Sequence, residues 1–356
     1  MAHAPLLVVA AIGMQARWRA HTGVRIEPAR SGHTAAADGR GRCILFGGYA
    51  ERAPGEMRDV VNDLWVHDAD GWARVQDACA REECADRPGP RLASASAVLG
   101  DELLLFGGWD PQTPGTGGEI LDDVWSRDLS TLAWSRCDPM PRGPTSRHAA
   151  AVVASGAGTE PKLIVHTHRC AEAVLKWDPR LRKLTEQRTT GEAPASRGLH
   201  VAVPLGADLV VFGGADKSGA MRDDAYALDT STWHWRALNA ANSAAHRPSA
   251  RAGACAAALD GRTALFFGGA ERTPDNAGLI PRDDTWTLSM PSATWTKVSP
   301  AEADDTAPVE SAYGIAPGPR NAASLCALRE GELLLHGGWV PFVSTYDDTH
   351  TLKIER

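Results

Sequence analysis

A short apolar run closed by two glycines recurs along this chain, and nothing else in the sequence constrains the fold as strongly. It reads Ile44-Leu45-Phe46-Gly47-Gly48, then Leu104-Leu105-Phe106-Gly107-Gly108, Val210-Val211-Phe212-Gly213-Gly214, Leu265-Phe266-Phe267-Gly268-Gly269 and Leu334-Leu335-His336-Gly337-Gly338. Upstream of each run stands an arginine: Arg30, Arg91, Arg197, Arg251 and Arg320. Downstream comes an acidic or Asn-Asp pair followed two residues on by an aromatic, as in Asn62-Asp63 to Trp65, Asp122-Asp123 to Trp125, Asp223-Asp224 to Tyr226 and Asp283-Asp284 to Trp286. A second tryptophan follows: Trp72, Trp134, Trp235 or Trp295. Self-similarity at a fixed period is the mark of a repeat architecture, in which one supersecondary unit is stacked on itself.

Each unit reads as four short strands. The apolar stretches are too short for helices and are broken by Gly, Asp and Pro. The chain carries 35 Gly and 23 Pro, which fits frequent tight turns. Arginine opens the first strand, Gly-Gly ends the second, the acidic pair opens the third and tryptophan sits in the fourth. A degenerate copy lies in the middle. Arg147-His148-Ala149-Ala150 opens it, Leu163-Ile164-Val165-His166 is its second strand, Thr167-His168 replaces Gly-Gly, and Leu175 and Leu184 replace the two aromatics.

The last copy runs out of chain after Asp347-Asp348 and a third strand. Its missing fourth strand is found at the opposite terminus, where Gln15-Ala16-Arg17-Trp18-Arg19-Ala20 carries the outer-strand tryptophan. Pairing the two ends would remove an open sheet edge and lock a closed ring.

These residues resemble the Kelch-repeat family, in which Gly-Gly follows an apolar strand and spaced aromatics complete a unit of about fifty residues. The resemblance runs from about Trp18 to Ile354. It implies an all-β, six-bladed β-propeller of four-stranded blades closed by an N-terminal strand. Residues 14–356 form the propeller, and residues 1–13 form an apolar N-terminal segment. Fold does not dictate function, so the activity has to be argued from the site.

Antiparallel strands place the connections from second to third strand, and from blade to blade, at one end of the ring. Those connections are the long ones: Tyr49 to Val61, Trp109 to Leu121, Ala270 to Arg282, Asp77 to Pro90 and Ser299 to Pro319. Long loops on a rigid scaffold are where recognition concentrates. The arginine set Arg30, Arg91, Arg147, Arg197, Arg251 and Arg320 belongs to the same end. It has two readings: a positive ring that takes an acidic ligand, or a framework in which each arginine is held by the acidic pair of its blade. Arg147 has no acidic pair in its own blade. The aromatics outside the repeat, Tyr49, Trp109, Trp339 and Phe342, are candidate contact residues at this face, or covers for the loops' own small cores.

The resulting expectation is a monomeric interaction module that binds a protein or peptide segment, acidic or polar, through arginine and aromatic contacts. It would use no cofactor, metal or catalytic residue. The alternative is an enzyme or metal-dependent specifier-type protein with its site at the same face. A copper radical oxidase of the galactose oxidase type needs Tyr and His ligands, and there are four tyrosines with no convincing partners. His166 and His168 alone make a poor metal site. The net charge of −7 argues against a general nucleic-acid surface. Leu6 to Ile12 is too short to span a bilayer and lacks a basic n-region, so the expected location is the cytoplasm, with secretion if residues 1–13 act as a signal peptide. No adaptor domain is legible on either side of the repeats. Seven cysteines leave at least one unpaired. Cys43, Cys255 and Cys326 read as small hydrophobes in strands, and Cys79 and Cys84, with four residues between them, lack a second pair at zinc-finger spacing.

Overall fold

A computed structural model describes residues 15–52, 59–79, 83–111, 117–154, 158–238, 246–300, 316–341 and 343–355. Every element in these stretches longer than a single turn is a strand. Most of the strands fall into six four-stranded antiparallel units, with a few two- and three-residue strands beside them. Blade 1 is Thr34–Ala37, Cys43–Glu51, Asp59–Asp68 and Gly71–Gln76. Blade 2 is Ala95–Leu99, Glu102–Asp110, Glu119–Asp128 and Trp134–Cys137. Blade 3 is Ala149–Val153, Lys162–His166, Ala173–Asp178 and Lys183–Arg188. Blade 4 is Val201–Leu205, Asp208–Phe212, Ala225–Asp229 and His234–Ala237. Blade 5 is Cys255–Ala258, Thr263–Phe267, Thr285–Ser289 and Thr294–Pro300.

Blade 6 takes three strands from the C-terminal region, Ser324–Arg329, Glu332–His336 and Thr349–Glu355. Its fourth is the N-terminal Gln15–Ala20, which pairs antiparallel with Thr349–Glu355 in a register that sets Trp18 opposite Leu352. The expected closure of the ring is therefore present. Gln15 and Ala16 also touch Ser299 and Pro300 of blade 5 in parallel, tying the inserted strand on its other side.

The first strands of successive blades pack against one another all the way round and back to the start, so they line the centre. Apolar second strands form the core: Leu45, Leu104, Leu105, Ile164, Val210, Leu265 and Leu335 are fully buried. At each blade seam the ring at the end of one second strand meets an indole of the next blade: Phe46 with Trp134, Phe106 with Trp177, His166 with Trp235, Phe212 with Trp295, Phe267 with Trp18, and His336 with Trp72. Four of these contacts are edge-to-face and two are tilted, and aromatic pairs so arranged add to simple area burial. Blade 3 departs from expectation here. Leu184 does occupy the outer strand, but the seam indole comes from the third strand as Trp177.

The glycine pair earns its place by geometry. Gly107 has φ +44°, and a Cβ there would lie 2.5 Å from the Thr145 carbonyl oxygen of the next blade. The second glycine of the pair, Gly108, donates its N–H to that same carbonyl at 2.9 Å. Equivalent bonds run from Gly48 to Arg91, Gly214 to Arg251, Gly269 to Arg320 and Gly338 to Arg30. The motif is a backbone joint between blades, which a side chain would prise open.

Two cysteine expectations change. Cys43 of blade 1 and Cys326 of blade 6 are disulfide-bonded across the ring closure, with Cα atoms 6.1 Å apart, rather than serving as independent small hydrophobes. Cys79 and Cys84 form a second, local bridge. Cys255 remains a buried thiol as read, and Cys137 and Cys170 are also free.

Candidate functional site

The arginines and aspartates meet at the Gly-Gly end of the ring. Arg91 donates to both oxygens of Asp123 at 2.5 and 2.8 Å, to the Gly107 carbonyl at 3.1 Å and through Nε to the Gly89 carbonyl at 3.0 Å. The same set of bonds holds Arg30 on Asp63, Arg197 on Asp224, Arg251 on Asp284 and Arg320 on Asp348. All five guanidinium groups are buried. Burial alone would raise the Asp123 carboxyl, but the bonds and charge of Arg91 and the Trp125 indole outweigh it and hold the pKa below the usual range. Asp284 is depressed in the same way, and at Asp348 the His350 imidazole and the Arg320 guanidinium outweigh burial. These five arginines are framework, each paired inside its own blade and buried away from a ligand at the surface.

Blade 3 breaks the set, in a different manner from the one expected. Arg147 does not sit at the register of the other five. That place is taken by Thr145, whose carbonyl accepts the Gly108 N–H just as Arg91 accepts that of Gly48. Thr145 is buried, and its hydroxyl donates to the Gly143 carbonyl. The aspartate register, two residues before the first aromatic position, is filled by buried Ala173. Arginine and aspartate are lost together, so no charge is stranded.

Arg147 instead occupies the register of Gly32, Ala93, Leu199, Gly253 and Ala322. All six have left-handed backbone, φ between 52° and 68°. Their amides form a closed ring of hydrogen bonds at 2.8–2.9 Å: Gly32 to Ala322, Ala322 to Gly253, Gly253 to Leu199, Leu199 to Arg147, Arg147 to Ala93 and Ala93 to Gly32. This ring frames the mouth of the central channel. Four of its residues carry a hydrogen or a methyl group. The other two are neighbours: Arg147, exposed, and Leu199, 39% exposed. A residue with a long side chain is uncommon at positive φ, and here two in succession place their side chains at the mouth.

Trp109, which directly follows its glycine pair, lies beside Arg147. The guanidinium carbon stands 5.9 Å from the indole centroid, within cation–π range. Arg147 has no carboxylate partner among the described residues. Together Arg147, Trp109 and Leu199 offer a cation, an aromatic face and an apolar contact on one side of an otherwise bare rim. Tyr49 and Trp339 lie at the same Gly-Gly end, both half-buried, with Trp339 bridged to Asn321. Phe342 lies outside the described residues, as do the tips of most long loops. Leu199 was missed in the sequence. Its signal was its place, two residues beyond Arg197, matching Gly32 beyond Arg30.

Four buried histidines meet in pairs at two opposite seams. His166 Nδ1 lies 2.9 Å from His200 Nε2 between blades 3 and 4. His33 and His336 lie with ring centroids 5.5 Å apart and tilted to each other between blades 6 and 1, bonded to Ser324 and Thr349 respectively. Burial pushes His33 and His166 down to about 3 and His200 and His336 well below the ordinary value, so all four are neutral at pH 7. His168, half-buried, is not in this pair. Among the described residues, no three His, Cys, Asp or Glu side chains are grouped to hold a metal ion, and no helix is long and apolar enough to cross a membrane.

Comparison with known proteins gives consistent results. The family model of the KLHDC2/KLHL20/DRC7 Kelch-repeats domain matches residues 12–173 and 165–356. Kelch domain-containing protein 2 of Bos taurus is 24% identical over 87% of this chain and 75% of its own length. Acyl-CoA-binding domain-containing protein 6 of Oryza sativa is 30% identical over 51% of this chain and 28% of its own length. The corresponding protein 4 of Arabidopsis thaliana is 26% identical over 79% and 39%. The chain thus spans well under half the length of the first curated relatives it matches. The solved structure of YjhT superposes with TM-score 0.65 at 16% identity, covering 94% of this chain and 99% of that one, a likeness of fold.

Proposed function

The chain belongs to the KLHDC2/KLHL20/DRC7 Kelch-repeat family, whose propellers commonly serve as protein-interaction modules, and from that premise we propose that it is a non-enzymatic module that holds an acidic or polar peptide segment at the mouth of its channel. One observation carries the reading. On a rim of six equivalent positions, Arg147 and Leu199 are the two long side chains, and Trp109 flanks the arginine. An arginine without a carboxylate of its own is available for a charge-assisted bond to an acidic side chain. Arginine and tryptophan are the residue types that dominate binding energy at protein interfaces. Leu199 adds an apolar anchor beside them.

Selection of a random peptide library on the wild-type chain tests this. Enriched peptides should carry Asp or Glu, and Arg147→Ala with Trp109→Ala should release them while the unfolding midpoint holds. Peptides retained equally by the double variant would remove the mouth from the interaction. Capture of full-length partners with the same pair of proteins extends the test to the natural ligand.

A further inference from the structure

We propose that the opposite, short-loop end carries a second site, a groove at the seam of blades 1 and 6 that takes a small molecule bearing a phosphate group. The groove has a volume of about 860 Å³ and is walled by the N-terminal strand, two turns of blade 1, and the first turn and third strand of blade 6. That is the size of a small-molecule site and more than a lone inorganic ion needs.

Its floor contains an imidazole in the wrong place for a propeller core. His67 lies four residues after Asp63. The same register in blades 3, 4, 5 and 6 holds Trp177, Leu228, Leu288 and Leu352, all buried and apolar. Blade 2 has Arg127 there, bonded to the Gln76 side chain. His67 is 4% exposed, lines the groove, and has no hydrogen-bond partner at either ring nitrogen. It is held in place edge-to-face between His21 at 5.2 Å and Trp72 at 5.0 Å. A leucine would satisfy the blade without leaving two polar atoms unpaired. Burial brings the pKa of His67 to about 4, so at neutral pH it offers one N–H donor and one lone pair.

The walls supply the charge. Five cationic side chains line the groove, Arg19, Arg40, Arg42, Arg329 and Lys353, with the carboxylates Asp68, Glu330 and Glu332; Asp101 and Asp38, which are not lining residues, pair with Arg40 and Arg42. Glu332 is already engaged by Arg329 and Lys353. Arg42 and Arg329 commit Nε to carboxylates, and their Nη groups have no hydrogen-bond partner among the described residues. Arg19 forms no ion pair with a described residue. Arginine forks of this kind match phosphate oxygens in pairs. The His67 N–H is then the buried donor that fixes the phosphate, or a hydroxyl next to it, against the floor.

The site lies at the other end from the peptide mouth and stands independently of it. Calorimetric titration at low ionic strength with inorganic pyrophosphate, with adenosine 5′-diphosphate and with adenosine tests it, alongside ring-proton NMR of His67. Pyrophosphate or the diphosphate should bind and shift the His67 signals, and adenosine should do neither. Tighter binding of the diphosphate would identify a phosphate ester as the preferred source, and equal binding the bare anion. Arg42→Ala with Arg329→Ala should weaken binding by at least about tenfold. His67→Leu restores the residue type of blades 4 to 6, so it should fold and yet lose affinity. Absence of binding by both phosphates, binding that survives these variants, or equal binding of adenosine would overturn the proposal.

Discussion

Blade 2 and blade 3 answer the same structural demand with opposite chemistry. Where blade 2 buries Arg91 on Asp123, blade 3 buries Thr145 and has Ala173 at the aspartate register. Both hold the same backbone joints: Gly48 donates to the Arg91 carbonyl and Gly108 to that of Thr145. The fold therefore needs the joint, and the ion pair is one way of filling the space beneath it. A buried pair is strong only as a pair. Deleting one member strands a charge, whereas replacing both with uncharged groups can be close to neutral. Blade 3 made the neutral exchange, and the arginine in its opening segment, two residues later, is left outside the framework at the channel mouth.

The first way to break this comparison is a double-mutant cycle in blade 2. Arg91→Thr or Asp123→Ala alone should destabilise by about 3–5 kcal/mol, because each leaves an uncompensated buried charge. The double variant, which copies blade 3, should cost much less than the sum. Denaturant unfolding measures all three. Additive losses would mean that blade 3 is tolerated for some reason other than the paired exchange.

Reduction of the Cys43–Cys326 bridge comes next in size. It joins residues 283 positions apart across the seam that the N-terminal strand also closes. Loss of such a cross-link releases unfolded-chain entropy, and about 2–4 kcal/mol is the usual scale. Cys326→Ala should lower the unfolding midpoint under oxidising conditions and leave it unchanged, relative to wild type, under reductant.

Smaller again is the acid response of the paired-histidine seams. His166 and His200 face each other with Arg197 and His148 nearby, and His33 and His336 lie near Arg30, Arg320 and Asp348. Their folded pKa values lie below 6.5, so the unfolded chain binds more protons as the pH falls beneath that value. Stability should be level above about pH 7 and drop as the pH falls from about 6.5 toward 4, by up to about 1.4 kcal/mol per pH unit for each histidine. The seam between blades 4 and 5 uses Phe212 with Ala254 at these registers. His166→Phe with His200→Ala copies it and should flatten the slope, measured by thermal unfolding across pH. An unchanged slope would shift the acid sensitivity to other groups.

Much of this was legible in the sequence because it repeats. Gly-Gly after an apolar run, arginine before it and the aspartate pair after it each recur often enough to fix strand order, and the terminal tryptophan Trp18 disclosed the ring closure. Repetition of Arg30 with Asp63 raised the framework reading beside the binding one, and the buried ion pairs decide for the framework at five of the six arginines. The misreading of Arg147 came from trusting residue type over register. It stands two residues before Ala149, the start of its strand, whereas Arg91 stands four before Ala95. Contacts assembled from separate blades were not legible at all. Nothing in linear spacing brings Cys43 to Cys326, His166 to His200, or Arg19 to His67, because each pair is brought together by packing one blade on the next.

The sharpest test pairs Arg147→Ala with Arg91→Ala, measuring for each the affinity for a selected acidic peptide and the unfolding midpoint. Arg147→Ala should lose about tenfold or more in affinity with stability changed by less than about 0.5 kcal/mol, as expected of an exposed interface anchor. Arg91→Ala should do the reverse, losing stability first. Full affinity in Arg147→Ala, or a loss of stability matching that of Arg91→Ala, would contradict the division of these arginines into five that are buried framework and one that binds at the channel mouth.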